Sequence, residues 1–211
     1  MSVRRAGLLW SGLVSAALLL WMPAPLLAQY TASVAADSAE YRTLSKRVAA
    51  GDTTADFTRL RKLYATLPSS DKEPVVAPES LFAHARRAAD PRAARAAIDS
   101  VLAMHFGNVR AHEVAERVYR ARGDSVDAAR EAALVRQFAA SIMRGRDGLT
   151  VASAFVVYGI PEEYTVLRAM GVKMQTQALI SCDGLMCDVL TGTEEKTGKS
   201  VSYYFQLPKA F

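Results

Sequence analysis

The chain is poor in the residues that build metal centres, since its 211 residues include only two cysteines and three histidines. A structural zinc site takes about four ligands, and Cys182 and Cys187 have no histidine or third cysteine near them. His112 begins a His-Glu-x-x-Glu sequence, in which Glu116 stands where a zinc-protease helix needs its second histidine. The sequence therefore predicts no metal site.

Other signatures of catalysis and cofactor binding are also missing. Gly145 to Gly148 reads Gly-Arg-Asp-Gly, which lacks both the Lys-Ser/Thr ending and the preceding strand of a phosphate-binding loop. Ser153 and Ser181 form no triad signature with the histidines. We predict no catalytic residue and no cofactor, although the residues do not exclude an enzyme.

A strong positive charge is absent from the body of the chain. The net charge is +5 at pH 7, and it falls to about +3 without residues 1–28, which hold Arg4 and Arg5 but no acid. So small an excess, distributed along predicted helices, does not indicate a nucleic-acid partner.

The N-terminus has the three parts of an export signal. Arg4-Arg5 precedes an apolar run from Ala6 to Trp21, and Pro23 and Pro25 then end any helix. A membrane-spanning helix needs ~20 predominantly apolar residues, which this run reaches only through the two prolines. We predict that residues 1–28 are cleaved, giving a periplasmic or extracellular protein without stable membrane insertion.

Helical periodicity dominates residues 29–147. After a flexible leader, 29–38, a helix is expected from Ser38 to Gly51. A second begins at Thr53 and Asp56, which resemble a capping box, and residues 69–78 form a linker. These segments make up the predicted region 29–78.

Residues 79–147 predict a helical layer. Asp90-Pro91 and Asn108 are expected to start helices, and Gly123-Asp124 is expected to turn the chain. The helix-turn-helix from Asn108 to Ser141 has the 34-residue period of a tetratricopeptide repeat, preceded by a degenerate unit. Two units are too few for a free-standing solenoid, so this layer should pack on the rest of the chain.

Residues 148–211 predict a small β-α-β-β-β module. The expected strands and helix are Ala154–Tyr158, Pro161–Met170, Val172–Ile180, Met186–Leu190 and Val201–Leu207. The fold class is thus α+β, with tetratricopeptide-like helical hairpins packed on a small, mostly antiparallel sheet with one helix. Cys182 and Cys187 flank an Asp-Gly turn, and they form either a disulfide across a hairpin or two half-buried thiols.

A group of polar side chains gives the best candidate for a ligand-binding site. Glu162, Glu163 and Tyr164 open the helix of this module, and Gln177 lies on the strand that follows it. Two carboxylates, a phenol and an amide at one junction are suited to a cation or a polar ligand. The alternative is that the acids serve the helix dipole while the tyrosine packs in the core.

The helical layer also carries arginines, at positions Arg86, Arg87, Arg92, Arg95 and Arg110. They form a solvated face, or they meet an acidic partner or anionic lipid.

Several segments in order resemble the bacterial domain-of-unknown-function family 4919. They include Asp56–Tyr64, Arg146–Thr150, Glu162–Tyr164, Gln177 and Tyr204-Phe205, with Gln206 departing from the Asn or Asp expected there. The resemblance implies the fold and export, and it implies no activity.

We therefore expect a non-catalytic envelope or secreted protein whose helical layer binds a protein partner, because helical repeats present concave binding surfaces. The alternative is a protein that binds a small polar ligand or a cation, or a weak hydrolase, at the Glu163/Tyr164/Gln177 junction. The oligomeric state is left open.

Overall fold

A computed structural model describes residues 23–68, 78–182 and 184–208, and for residues 78–81 and 84 it describes the backbone alone. The predicted signal up to residue 22 and the predicted linker from 69 to 77 lie outside the described residues. The described helices are α1 (Ala24–Ala49), α2 (Phe57–Thr66), α3 (Pro78–Arg87), α4 (Pro91–His105), α5 (Val109–Ala121), α6 (Ser125–Met143) and α7 (Ile160–Ala169). The strands are β1 (Phe155–Val156), β2 (Val172–Cys182), β3 (Leu185–Glu194) and β4 (Ser200–Gln206).

The α+β class and the mostly antiparallel sheet are confirmed. The four strands lie in the order β1-β4-β3-β2. Only the two-residue β1 pairs in parallel, with β4, while β2–β3 and β3–β4 are antiparallel. Helix α7 connects β1 to β2, and it packs against both β2 and α6.

The N-terminal helix is longer than the sequence patterns predict. The leader 29–38, predicted to be flexible, is helical, because α1 begins at Ala24 rather than at Ser38. Pro23 and Pro25 stand at the start of α1, where a missing N–H is tolerated; the apolar run that they are predicted to end lies outside the described residues. Alanine is the strongest helix former, so the alanine-rich leader continues the helix. No helix among the described residues has the length and apolarity needed to cross a membrane.

Three of the helix starts show which capping predictions hold. Asp90 and Asn108 accept hydrogen bonds from the backbone N–H of Arg92 and Arg110, which confirms both. The capping box at Thr53 is wrong, because Asp56 itself caps α2 by accepting from the Arg59 N–H. An aspartate in the β region directly before the helix satisfies an amide that otherwise has no acceptor.

The strands differ in length from the predicted ones. β1 covers two residues of the predicted Ala154–Tyr158, since that run pairs only with the end of β4. β3 continues to Glu194 and β4 begins at Ser200, so the predicted loop from Gly192 to Ser200 is shortened to residues 195–199. In the structure Cys182 and Cys187 form a disulfide with their Cα atoms 5.9 Å apart, and both side chains are buried.

The core has three parts. The first joins α3, α4 and α5, the second joins α1, α2 and α6, and the third lies between the sheet and helices α6 and α7. Gly148 connects the helices to the sheet: its φ is +69°, and an added Cβ would overlap the Phe155 ring. Its carbonyl accepts a hydrogen bond from the Tyr204 N–H at 2.8 Å.

Candidate functional site

The four residues of the predicted junction lie on α7 and β2, but their side chains point to three different places. The Tyr164 hydroxyl donates to Gln177 Oε1 at 3.1 Å, so these two side chains do meet. Glu162 and Glu163 are buried, and each faces a different neighbour. The four groups therefore do not converge on one cleft.

Glu162 forms a buried ion pair with Arg61 of α2. The Arg61 Nε and Nη2 atoms lie 2.8 and 2.7 Å from the two Glu162 oxygens, and only 2% of Arg61 is exposed. Arg61 Nη2 also donates to the Val156 carbonyl, and the guanidinium lies 5.3 Å from the centre of the Tyr158 ring. This ion pair connects α2 to the C-terminal module. Both Glu162 oxygens accept hydrogen bonds from Arg61, so this carboxylate has a structural role.

Glu163 faces the sheet and meets a second buried carboxyl group, that of Asp188 on β3. Burial, together with the charge of Asp188, raises the pKa of Glu163 to about 8. Glu163 is therefore protonated at neutral pH. Both of its carboxyl oxygens are buried without a hydrogen-bond partner among the described residues.

A separate cavity lies between the end of α1, α4 and α6. Its volume is about 390 Å³. Its main apolar lining residues are Val48, Phe57, Leu102, Ala103, Phe106, Ala133 and Leu134. The polar lining residues are Asp52, Thr53, Asp99, Arg130, Glu131 and Gln137. The apolar residues come mainly from α1, α4 and α6, with Phe57 contributed by α2.

Glu131, at one wall of this cavity, is paired with His112 of α5. His112 Nδ1 lies 2.6 Å from Glu131 Oε2, and Nε2 lies 2.8 Å from the Phe106 carbonyl oxygen. Burial acts to raise the pKa of Glu131, but the hydrogen bond and charge of His112, with Arg130, lower it overall. Both ring nitrogens of His112 therefore lie within hydrogen-bond distance of an oxygen atom.

Most charged groups around the cavity are paired within the protein. Asp52 pairs with Arg47 at 2.6 Å, and Glu131 pairs with both His112 and Arg130. Asp99, whose side chain is exposed, is the remaining acid on the lining.

No group of three or more His, Cys, Asp or Glu side chains that could hold a metal ion occurs among the described residues. The side chain of His84 lies outside them. His105 is buried at the end of α4, where its Nδ1 lies 2.9 Å from the Tyr64 hydroxyl.

Two features of the site have signals in the sequence that motif analysis alone misses. Arg61 lies four residues after Phe57 and three before Tyr64, which places a charge on the apolar face of α2. His112 likewise follows Ala111 on the apolar side of α5, and its side chain is fully buried. A charged or titratable residue on an apolar stripe indicates a buried partner, but it does not say which residue that partner is.

Comparison with protein-family models, curated proteins and solved structures found no match to this chain. The resemblance to family 4919 thus stays a prediction.

Proposed function

We propose that this protein is an exported, non-catalytic binding protein that holds a small, uncharged, mainly apolar molecule between α1, α4 and α6. The observation that carries the proposal is the cavity of about 390 Å³ lined by side chains from these helices. Its tetratricopeptide-like helical layer supplies two of the three walls. In this proposal, as in a helical repeat array, adjacent helices form the binding surface.

The size of the cavity sets the size of the ligand. Ligand pockets commonly measure about 300–1,000 Å³, and an engineered apolar cavity of about 150 Å³ binds benzene. A cavity of about 390 Å³ therefore suits a molecule of two or three rings, or a short branched chain. Removing apolar ligand surface from water contributes roughly 25 cal/mol per Å².

The pairing of the lining charges sets the chemical class. A charged ligand would lose its hydration and gain little in return, because Asp52, Glu131 and Arg130 are already paired within the protein and Asp99 is exposed to solvent. Thr53 and Gln137 offer hydrogen bonds to a single polar group on the ligand. The ligand is accordingly uncharged, with at most one or two polar atoms.

Export is supported by two independent features. The N-terminal sequence has the charge, apolar run and small-residue exit of a signal peptide. The buried Cys182–Cys187 disulfide is suited to an oxidising compartment, the periplasm or the exterior.

A fluorescence titration with N-phenylnaphthylamine, a neutral probe with three aromatic rings, tests the proposal. We expect saturable binding to the purified protein. Ala133→Phe fills the cavity and should weaken binding by roughly tenfold or more. Ala129→Phe is the matched control, because Ala129 lies one turn earlier on α6, is exposed, and does not line the cavity.

Equal binding by wild-type protein and Ala133→Phe, with both folded by circular dichroism, would exclude the cavity as the site. Absence of saturable binding to wild-type protein by this probe and by a smaller one such as naphthalene would count against the proposed function itself.

A second candidate is a protein-interaction module, which the sequence analysis expects on the helical layer. The sheet offers it a further surface: residues 175–179 of β2 are exposed, Leu179 by 60%, and among the described strands β2 pairs with β3 alone. Such an edge can accept a strand from a partner. On the helical layer, Val126 is 82% exposed.

Pull-down experiments with two variants separate these surfaces. Loss of a partner with Leu179→Lys would assign it to the sheet edge, and loss with Val126→Lys would assign it to the helical layer. Recovery of no partner by wild-type protein at native abundance would remove this candidate.

A further inference from the structure

The two edges of the sheet differ in length and in protection. One edge is β1, which has two residues and leads into α7 through Pro161. The other edge is β2, which has eleven residues and pairs, among the described strands, with β3 alone. Exposed edges are usually short or carry charges or proline, because their free N–H and C=O groups pair readily with another strand. β2 contains no proline, and its one charged residue, Lys173, lies at its start.

The middle of β2 is accessible on its edge and on both of its faces. Successive side chains of a strand point to opposite faces, and residues 175–179 are nevertheless all exposed. The one bulge of the strand lies between Met174 and Thr176, and the pairing with β3 is regular from Thr176 to Cys182. This stretch therefore offers a regular row of backbone groups to a further strand.

Two exposed apolar side chains lie next to this edge. Leu179 is 60% exposed and Met186 is 47% exposed. Met186 is opposite Ser181, two residues along β2 from Leu179, so both apolar side chains lie on the same face of the sheet. A strand that pairs with β2 and brings an apolar side chain to this face would cover them.

The residue pattern of this edge is symmetric about Leu179. Residues 177–181 read Gln-Ala-Leu-Ile-Ser, which is a polar residue, three apolar residues and a polar residue. Two copies of the strand that pair antiparallel about a twofold axis through Leu179 would match each residue with one of its own class, as a twofold interface between identical chains requires. The facing pairs are Leu179 with Leu179, Ala178 with Ile180, and Gln177 with Ser181.

The charges of β2 also favour antiparallel pairing of two copies. Lys173 lies six residues before Leu179, whereas the strand ends three residues after it, at Cys182. Each lysine would therefore lie beyond the end of the other copy's strand, and no like charges would meet. A parallel pairing in register would bring the two lysines side by side, which is destabilising. Because the rest of β2 is uncharged, a strongly acidic or basic partner strand would find no counter-charge along it.

We propose that two copies of this protein associate through β2, antiparallel about a twofold axis at Leu179, so that their two four-stranded sheets form one continuous sheet. Stable interfaces bury about 1,200–2,000 Å², and a short strand pair with Leu179 and Met186 buries less, so the dimer dissociates on dilution. The inference goes beyond the proposed function, since it concerns a second copy of the chain and uses no residue of the cavity.

Sedimentation velocity over a series from micromolar to millimolar protein tests the pairing. We expect wild-type protein to pass from monomer to dimer. Leu179→Lys and Leu179→Glu should each weaken association by about tenfold or more, because two like charges then meet at the axis. An equimolar mixture of these two variants should associate again, because a lysine then faces a glutamate. Val126→Lys is the control, since Val126 is 82% exposed on α6, outside the sheet.

Circular dichroism verifies that each variant is folded. The proposal is wrong if wild-type protein stays monomeric over the whole series, if Leu179→Lys dimerises like wild-type protein, or if the mixture of charged variants associates no better than either alone. A monomeric wild-type protein that captures a different protein through β2 would also overturn it, because the occupant is then not a second copy. Ala133→Phe should dimerise like wild-type protein, so failure of the cavity and failure of this pairing are distinguishable.

Discussion

Arg61 is the largest side chain that the described part of the protein buries almost completely. It is tolerated there because Glu162 neutralises its charge and because Val156 and Ser141 accept further hydrogen bonds. An uncompensated charge in the same place would lose its hydration without replacement. The same rule explains His112 and Glu131, which are buried as a pair between α5 and α6.

We expect Arg61→Met to destabilise the protein by about 3–5 kcal/mol, because it leaves Glu162 buried without its partner. Chemical denaturation measures the change in the free energy of unfolding. Arg59→Met is the matched control: its ion pairs with Asp37 and Glu40 are partly exposed, so its loss should cost about 1 kcal/mol or less.

The double variant Arg61→Met/Glu162→Gln separates a lost pair from lost packing. It should be more stable than Arg61→Met alone, because the unpaired charge is gone. A double variant that is destabilised by the full sum of the two single changes would contradict the account of this pair.

Glu163 gives the protein a specific pH dependence. Its pKa is about 8 in the folded state and about 4.5 when unperturbed, so between these values the folded state binds more protons than the unfolded state. Stability therefore falls as pH rises from about 4.5 to about 8, by a few kcal/mol in total, and levels off above that range.

We expect Glu163→Gln to lose this decline and to be more stable than wild-type protein at pH 8 and above. Denaturant titrations at pH 5, 6.5, 8 and 9 measure it, with the exposed Glu195→Gln as control. A Glu163→Gln variant whose stability still falls over this range as steeply as in wild-type protein would show that Glu163 is not the titrating group.

The individual side-chain partners were the least predictable part of the molecule from sequence. Glu162 and Glu163 are adjacent, and the sequence correctly indicated that they open a helix. Nothing local shows that one turns to Arg61, 101 positions away, while the other meets Asp188 on β3. Partners so far apart in the chain are determined by how the helices and strands pack. The periodicity of apolar residues predicts each element, but it does not show which elements contact one another.

At the scale of the elements, helices were easier to predict than strands. Asp90-Pro91, Asn108 and Gly123 mark helix boundaries through local hydrogen bonds and backbone conformation, which act within a few residues. The length of β1 and β3 depends instead on which strand lies beside them. β1 pairs with two residues of β4, and both β2 and β3 are long because they pair with each other along almost their whole length.

The disulfide stabilises the β2–β3 hairpin by an amount that its short loop limits. Cys182 and Cys187 are five residues apart, and the loop-entropy relation gives about 2 kcal/mol for a ring of this size. We expect the Cys182→Ser/Cys187→Ser variant to lose about that much stability in denaturant, and to match reduced wild-type protein. A variant as stable as the oxidised protein would contradict this estimate.

At the scale of the whole molecule, the helices and the sheet form one structure through a few long-range connections. Arg61 joins α2 to α7, Gly148 joins the end of the helical region to β4, and α7 packs on α6. The sequence predicted that the helical layer must pack on the C-terminal module, because neither has enough apolar surface to be stable alone. It did not predict the cavity, whose lining combines residues of α1, α4 and α6 that are far apart in the chain.

We propose that this cavity holds an apolar molecule, and methyl NMR during a titration with N-phenylnaphthylamine detects where the probe binds. The methyl resonances of Val48, Leu102 and Leu134, which line the cavity, should shift saturably. Those of Val166 and Leu190, which are buried between α7 and the sheet, should not move. A titration in which the cavity methyl groups stay unchanged, or in which both sets shift alike, would contradict the claim.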